Sequence, residues 1–591
     1  MVLWQVFALI LLVIWPLAVH RMEVPTRLEQ YPWFPDLDKT VDYFLFFRGR
    51  FLIGLAAAML ALLCIGVFLK KWDPRAVFRR EMLPVWVGIG LFSAGVLLSG
   101  FFSRYAKIVW AGMSEEYESL PILIAYLIIF IAAAAAFRSE KNRDFLVRCI
   151  LAGAALQVLI GLGQLVGYDL WASRAGMMLI GEGTGGLQQT EFIFSGVGDH
   201  RVYMSFYHPN YAAVYIMLVL PLGIGRIFGC INPKRCAEAY STGSISALES
   251  VLSGILCLGL LVCLWGTGSR TAMLVLFAEL FLFLVRYFLF GSSSGNKWLR
   301  TILFTLAVSI LAGALLCLTG PGKNVLTRFL GTKTESSLCE ITTRDTGIMV
   351  NWKGERVRLT MEEEGEKTWF AIYEENGTPC PMTYDESRKR YLLTSPDWEE
   401  VSFDAYKDQG NWWIHMYQGE VPWYFVHQPG AAEWQYITLY RKPDRIVNAP
   451  CVPTFGYDNA LSGRFYIWSR AIPLLPGRLL LGSGADTFAL VFPQNDYVSR
   501  ANIGLDMLMP VISRAHSLYL QTAIQAGLLP ALGLVLGIAA AMVISCRKRK
   551  EDGVLRRAVL WSILAWLLMG ITNDSVIPVT PFFCVLLGMI L

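Results

Sequence analysis

The chain has 591 residues, of which 55% are hydrophobic and 16% charged, with a formal net charge of +5 and a mean hydropathy of +0.47. That balance excludes a soluble globular protein of this size and indicates a polytopic membrane protein. The small positive surplus lies in short loops between apolar runs, which excludes nucleic acid as a partner and points to membrane lipid.

A helix that crosses a hydrocarbon core of ~30 Å needs about 20 residues. In chain order, apolar runs of that kind predict twelve helices, at 2–20, 51–70, 83–101, 121–137, 145–166, 211–229, 251–267, 271–290, 301–320, 517–545, 558–572 and 576–591. The first lacks a basic leader and a small-residue cleavage site, so it reads as an uncleaved span. The even-numbered gaps are basic ("KKWDPRAVFRR", "RSEKNRDFLVR", "NPKR", "GNKWLR", "RKRKEDGVLRR"), whereas the odd-numbered gaps are balanced or poor in base. This alternation predicts a multi-pass cell-membrane protein with both termini cytoplasmic and the segment 321–515 outside. The organisation expected is helices over 1–320, an extracytoplasmic segment over 321–515 and helices again over 516–591. Cys339, Cys380 and Cys451 lie in the outer segment, where one disulfide could form and leave one thiol over.

Within the outer segment, residues 341–446 carry 12 Lys and Arg against 18 Asp and Glu. Their alternating stretches ("RVRLTM", "WWIHMYQG", "WQYITLYRK"), divided by turn signals such as "NWKG" and "HQPG", predict an inserted all-β domain, a small sandwich. Trp412 and Trp413 are adjacent on one strand and must face opposite ways, so at most one is core; the other keeps a carbohydrate-binding role open. The region 461–500 ("LSGRFYIWSRAIPLL", then "GSGADTFALVFP") has short helical runs that should lie along the outer surface.

This topology gathers Arg270, His208, Asn210, Arg464, Arg514 and His516 at one membrane face. Taken singly, an arginine near a helix end snorkels to lipid head-groups and a histidine before proline opens a helix. Taken together, ionisable groups at membrane depth mark a functional site. Two arginines can hold a diphosphate with their planar forks, and a histidine can take a proton from an attacking hydroxyl. No metal site and no cofactor is expected, because the arginines can supply the charge stabilisation.

The order "YHPNYAAVYIMLVLPL", "GTGSRTAML", "SGRFYIWSRAIPLLPGRLLLGSGADTF", "AHSLYLQTAIQAGLLPALGL" resembles the O-antigen ligase and polymerase superfamily, integral glycosyltransferases of the bacterial inner membrane. The resemblance covers most of the chain from about residue 145 onward, outside the β insert. It implies a GT-C-like fold with about 12 spans and transfer of a glycan from a polyprenyl-diphosphate carrier to a glycan, lipid or protein acceptor. It also implies diphosphate binding by Arg270 and Arg464, catalysis by His516, and further substrate contacts at His208, Asn210 and Arg514. Two positions depart from the family pattern: Ser517 stands where Asn often follows the histidine, and Gln525 where Glu is common. The alternative is a twelve-helix secondary transporter or flippase of a polyanionic or lipid-linked substrate. Against it stand the lack of an internal repeat and the placement of ionisable groups at helix ends.

Overall fold

A computed structural model describes residues 2–181, 201–231, 247–290, 333, 336–365, 367–504, 511–547 and 553–591. The expected helix at 301–320 lies outside these residues.

Among the described residues, six helices are long and apolar enough to cross a membrane: Phe46–Phe68, Arg80–Phe101, Glu140–Leu165, Pro209–Ile227, Leu248–Thr267 and Leu528–Arg547. Val2–Leu17, Leu120–Ala136 and Thr580–Met589 are shorter apolar helices. Two expected spans change form. The first passes from α-helix (Val2–Leu9) through a π stretch and a 3₁₀ turn at Trp15–Leu17, where Pro16 removes a donor. The run 517–545 is two helices, Leu518–Ala526 and Leu528–Arg547. They part at Gly527, whose φ of +113° suits glycine and whose added Cβ would stand 2.6 Å from the Leu480 carbonyl oxygen.

Small residues bring the helices together. A Cβ on Gly88 would meet the Gly533 carbonyl oxygen at 2.5 Å, so the helices Leu83–Phe101 and Leu528–Arg547 touch backbone to backbone. The helix Leu83–Phe101 also meets the end of the preceding helix Leu518–Ala526, where the Ser99 hydroxyl donates to the Ala526 carbonyl at 3.0 Å. At the N-terminal end, β1 (Met22–Pro25) pairs antiparallel with β2 (Lys39–Asp42). Asp42 then caps the next helix by accepting the Leu45 and Phe46 N–H groups at 2.9 and 2.8 Å. Arg48, fully buried, donates to the Pro16 and Ala18 carbonyls at 2.6 and 2.9 Å.

The insert is a two-sheet sandwich. β3 (Leu338–Arg344), β4 (Gly347–Trp352), β5 (Glu355–Glu364) and β6 (Lys367–Glu374) form one antiparallel meander. β7 (Met382–Asp385), β8 (Arg390–Leu393), β9 (Val401–Asp408), β10 (Asn411–Gln418), β11 (Val421–His427), β12 (Gln435–Ile437) and β13 (Pro443–Asp444) form the other. Alternate residues of facing strands meet between the sheets: Val350 and Leu359 from one, Phe403, Ile414 and Phe425 from the other. This is what the period-two pattern predicts.

The sandwich is not self-contained. Its core takes in Tyr497, Val498 and Ala501 from the later helix Tyr497–Asn502. The Asn502 side chain clamps the Leu338 backbone, accepting at 3.2 Å and donating at 2.6 Å. Tyr497 donates its hydroxyl to Asp444 at 2.7 Å, and Lys442 reaches the Phe34 carbonyl at 3.1 Å. The expected boundary at 446 therefore cuts through a core, because the last apolar contributors come from a helix fifty residues on. Cys339, Cys380 and Cys451 are free thiols in this structure.

Candidate functional site

The helix at Ala460–Ala471 begins with Leu461, Ser462 and Gly463 at φ of 53°, 61° and 81°. Two non-glycine residues in the left-handed region are costly and persist only where the surroundings over-determine them. This turn delivers Arg464, which donates Nε–H to the Thr572 carbonyl at 3.1 Å and Nη1–H to the Leu461 carbonyl at 2.9 Å. Among the described residues Nη2 has no hydrogen-bond partner. Burial lowers the Arg464 pKa, and the Asp574 carboxylate opposes that shift.

Thr572 also donates from its hydroxyl to that of Thr271 at 3.1 Å. Thr271 follows Arg270, the first residue of the helix Arg270–Phe290, whose side chain is exposed. One residue, Thr572, thus holds Arg464 beside the start of the Arg270 helix, across almost two hundred residues of sequence.

His516 is reached through the same helix. Trp468, one turn beyond Arg464, donates its indole N–H to the Ala515 carbonyl at 2.8 Å. Gln521 reaches back to accept the Ala515 N–H at 2.8 Å, and the Ser517 N–H donates to Asp574 at 2.9 Å. His516 between them sits at φ 50°. Its Nδ1 is 3.6 Å from the Asp574 carboxylate, too far for a hydrogen bond. The ring lies among the loops, yet 44% of its side-chain surface remains accessible. Burial, reinforced by Arg464, Arg514 and His208, lowers the His516 pKa to about 3. The imidazole is therefore neutral at neutral pH, with a lone pair to offer.

His208 has a different task. Its Nδ1 accepts the Asn210 N–H at 3.1 Å and its carbonyl accepts the Tyr211 N–H at 2.9 Å. It caps the helix Pro209–Ile231, and the proton of the neutral ring must sit on Nε2. Burial, with Arg514, Arg201 and Arg464 adding to it, brings its pKa down to about 4. The Asn210 side chain has no hydrogen-bond partner among the described residues.

Arg514 is committed internally. It donates to the Glu116 carboxylate and to the Tyr211 hydroxyl, and Nη2 donates to the Glu115 carbonyl at 3.1 Å. Its side chain and that of Glu116 keep only 9% and 10% of their surface. It stands under the site as half of a buried ion pair rather than presenting a free fork.

Sequence reasoning missed three residues that the fold supplies. Arg201 donates Nε–H to the Thr267 carbonyl at 2.8 Å, so it joins the turn that carries Arg270. Asp574 lies in "NDSVIPVT", one of the gaps poor in base, and burial pushes its carboxyl up to about 7. Glu118, held by the Tyr126 and Ser575 hydroxyls, is likewise pushed up to about 7 by burial. A further correction concerns helix interiors. Glu279 sits in the middle of Arg270–Phe290, only 7% exposed, with one carboxylate oxygen lacking a partner among the described residues. The contrast between helix ends and helix interiors thus has an exception. No protein-family model, no curated protein and no solved structure matches this chain.

Proposed function

We propose that the protein is a bacterial inner-membrane glycosyltransferase of about twelve spans and GT-C-like fold. It would move a glycan from a polyprenyl-diphosphate carrier to a hydroxyl acceptor on the extracytoplasmic side, both termini being cytoplasmic. The observation that carries this reading is the Thr572 bridge, which sets Arg464 beside the Arg270 helix within the loops that hold His516.

In this scheme the forks of Arg464 and Arg270 grip the diphosphate. The acceptor oxygen attacks the anomeric carbon, the bond from that carbon to the diphosphate breaks, and the lipid diphosphate leaves with the electron pair. The acceptor proton passes to the imidazole of His516. A base with so low a proton affinity is weak in the empty site. The second-largest cause of that low affinity is Arg464, so an anionic donor on Arg464 would raise it. Donor binding would thereby prime the base.

The test is release of lipid diphosphate by the purified protein in bilayers supplied with a polyprenyl-diphosphate glycan and a hydroxyl acceptor. Transfer that fails in R270K and R464K supports the reading. Undiminished transfer in both sinks it. Glu279, buried within the helix Arg270–Phe290, favours a second reading, transport of a polyanionic or lipid-linked substrate. Substrate flux across sealed vesicles that is lost in E279Q, with no bond cleavage, would establish it.

A further inference from the structure

The geometry points to a glycan-binding ledge on the outer face of the seven-stranded sheet, built from Tyr406, Trp413, His415, Tyr424, Tyr417 and Asp404. The register assembles it. Trp413 pairs with Tyr406, and His415 pairs with Asp404 on one side and Tyr424 on the other. The intervening Ile414 and Met416 face the core, so the ledge residues all project from the opposite face.

The Tyr406 and Trp413 ring planes are parallel to within 14°, with centroids 6.4 Å apart. His415 stands nearly upright against Tyr406, at 83°, and against Tyr424, at 78°. Tyr406 is 44% exposed. Polar groups are interleaved with the rings: Asp404 accepts the Tyr417 hydroxyl at 3.1 Å and lies 3.3 Å from His415 Nδ1.

A pyranose has an apolar C–H face and a rim of hydroxyls. It suits parallel rings beside a carboxylate and an imidazole, because each ring face carries negative charge and each hydroxyl needs a partner. Other partners fit less well. The surplus of 18 acids over 12 bases across 341–446 repels nucleic acids, sulfated polymers and anionic lipid. Peptide addition uses a free strand edge, whereas β10 lies between β9 and β11 in mid-sheet. The ligand class is therefore a neutral or amine-bearing oligosaccharide. This assignment does not depend on the transferase reading.

The test uses the full-length protein in detergent and isothermal titration with tetrasaccharides of glucose, of N-acetylglucosamine, of glucosamine and of a sulfated sugar. At least one neutral or amino tetrasaccharide should saturate the protein. W413A, Y406A and D404N should each weaken that binding by about tenfold or more, the scale of one lost aromatic or hydrogen-bond contact. W369A, which removes a tryptophan 41% exposed on β6, should bind as the parent does. The proposal falls if no neutral or amino tetrasaccharide saturates below ~10 mM, weaker than ~1 mM sites that bind by about 4 kcal/mol. It falls equally if W413A and Y406A, folded by circular dichroism, bind unchanged, or if the sulfated sugar binds most tightly through these residues.

Discussion

Arg464 donates its Nε–H to the carbonyl of Thr572 at 3.1 Å, and the Thr572 hydroxyl donates to that of Thr271, the residue after Arg270. A lysine at 464 would keep the charge, but its three donors radiate from one nitrogen and cannot reproduce the planar fork that spans the Thr572 and Leu461 carbonyls and leaves Nη2 over. R464K should lose about 10- to 100-fold in transfer, the worth of one charge-assisted hydrogen bond of ~1.5–3 kcal/mol. T572V, which removes the link to Thr271 and keeps the carbonyl, should show a smaller loss. The readout is lipid-diphosphate release.

The two histidines should separate cleanly. H516A should lose about 10²- to 10⁴-fold in turnover, the usual range for a general base, while donor binding persists. H208A should instead lower thermal stability by ~1 kcal/mol, as loss of a helix cap does, and H208N should restore it. Donor binding by equilibrium dialysis and melting in detergent distinguish these outcomes.

Arg514 and Glu116 should behave as structure. R514A should destabilise the protein by ~3–5 kcal/mol, because it strands the Glu116 carboxylate in a buried site. The double variant R514M/E116L should recover part of that loss. Denaturation midpoints in detergent test this, and a fully stable R514A would return Arg514 to the substrate-binding set.

The stability of the protein should depend on pH in two opposed ways. Asp574 and Glu118 hold their protons up to about 7 in the folded state, against ~4 when unfolded. Raising the pH through that window therefore favours unfolding. His516 and His208 titrate at about 3 and about 4 when folded, against ~6.5 when unfolded, so raising the pH to 6.5 favours folding. The two effects oppose each other from pH ~4 to ~6.5, and only the acids act above that. Melting temperature should fall between pH 6.5 and 8, and D574N should flatten the fall.

The clamp between Asn502 and Leu338 should tie the β domain to the rest of the chain. N502A removes both hydrogen bonds, each worth ~1 kcal/mol. Amide exchange in β3 should quicken about tenfold or more, at ~1.4 kcal/mol per factor of ten, with little change in β10. Unaltered exchange in β3 would show that the helix Tyr497–Asn502 merely lies against the sandwich.

Local pattern by itself determined much of this protein. Apolar runs set where the helices Phe46–Phe68, Glu140–Leu165 and Leu248–Thr267 form, since each needs only its own residues. Alternation set the strands of the insert and the opposite facing of Trp412 and Trp413, since period two is a property of one strand. The residue types and helix-start positions singled out Arg270, Arg464, His208 and His516. What only the tertiary structure decided is which of these groups are spent and which are open. Arg514 and Arg464 are the same residue type, and both stand close enough to His516 to act on its charge. Glu116, from a loop almost four hundred residues earlier, takes the fork of the first, whereas backbone carbonyls hold the second with Nη2 left over. Asp574 gained its place behind His516, and the Tyr497–Asn502 helix its place in the β core, through contacts between distant segments. Hydropathy records whether a residue is buried, but the partner it meets there is set by how the chain folds back on itself.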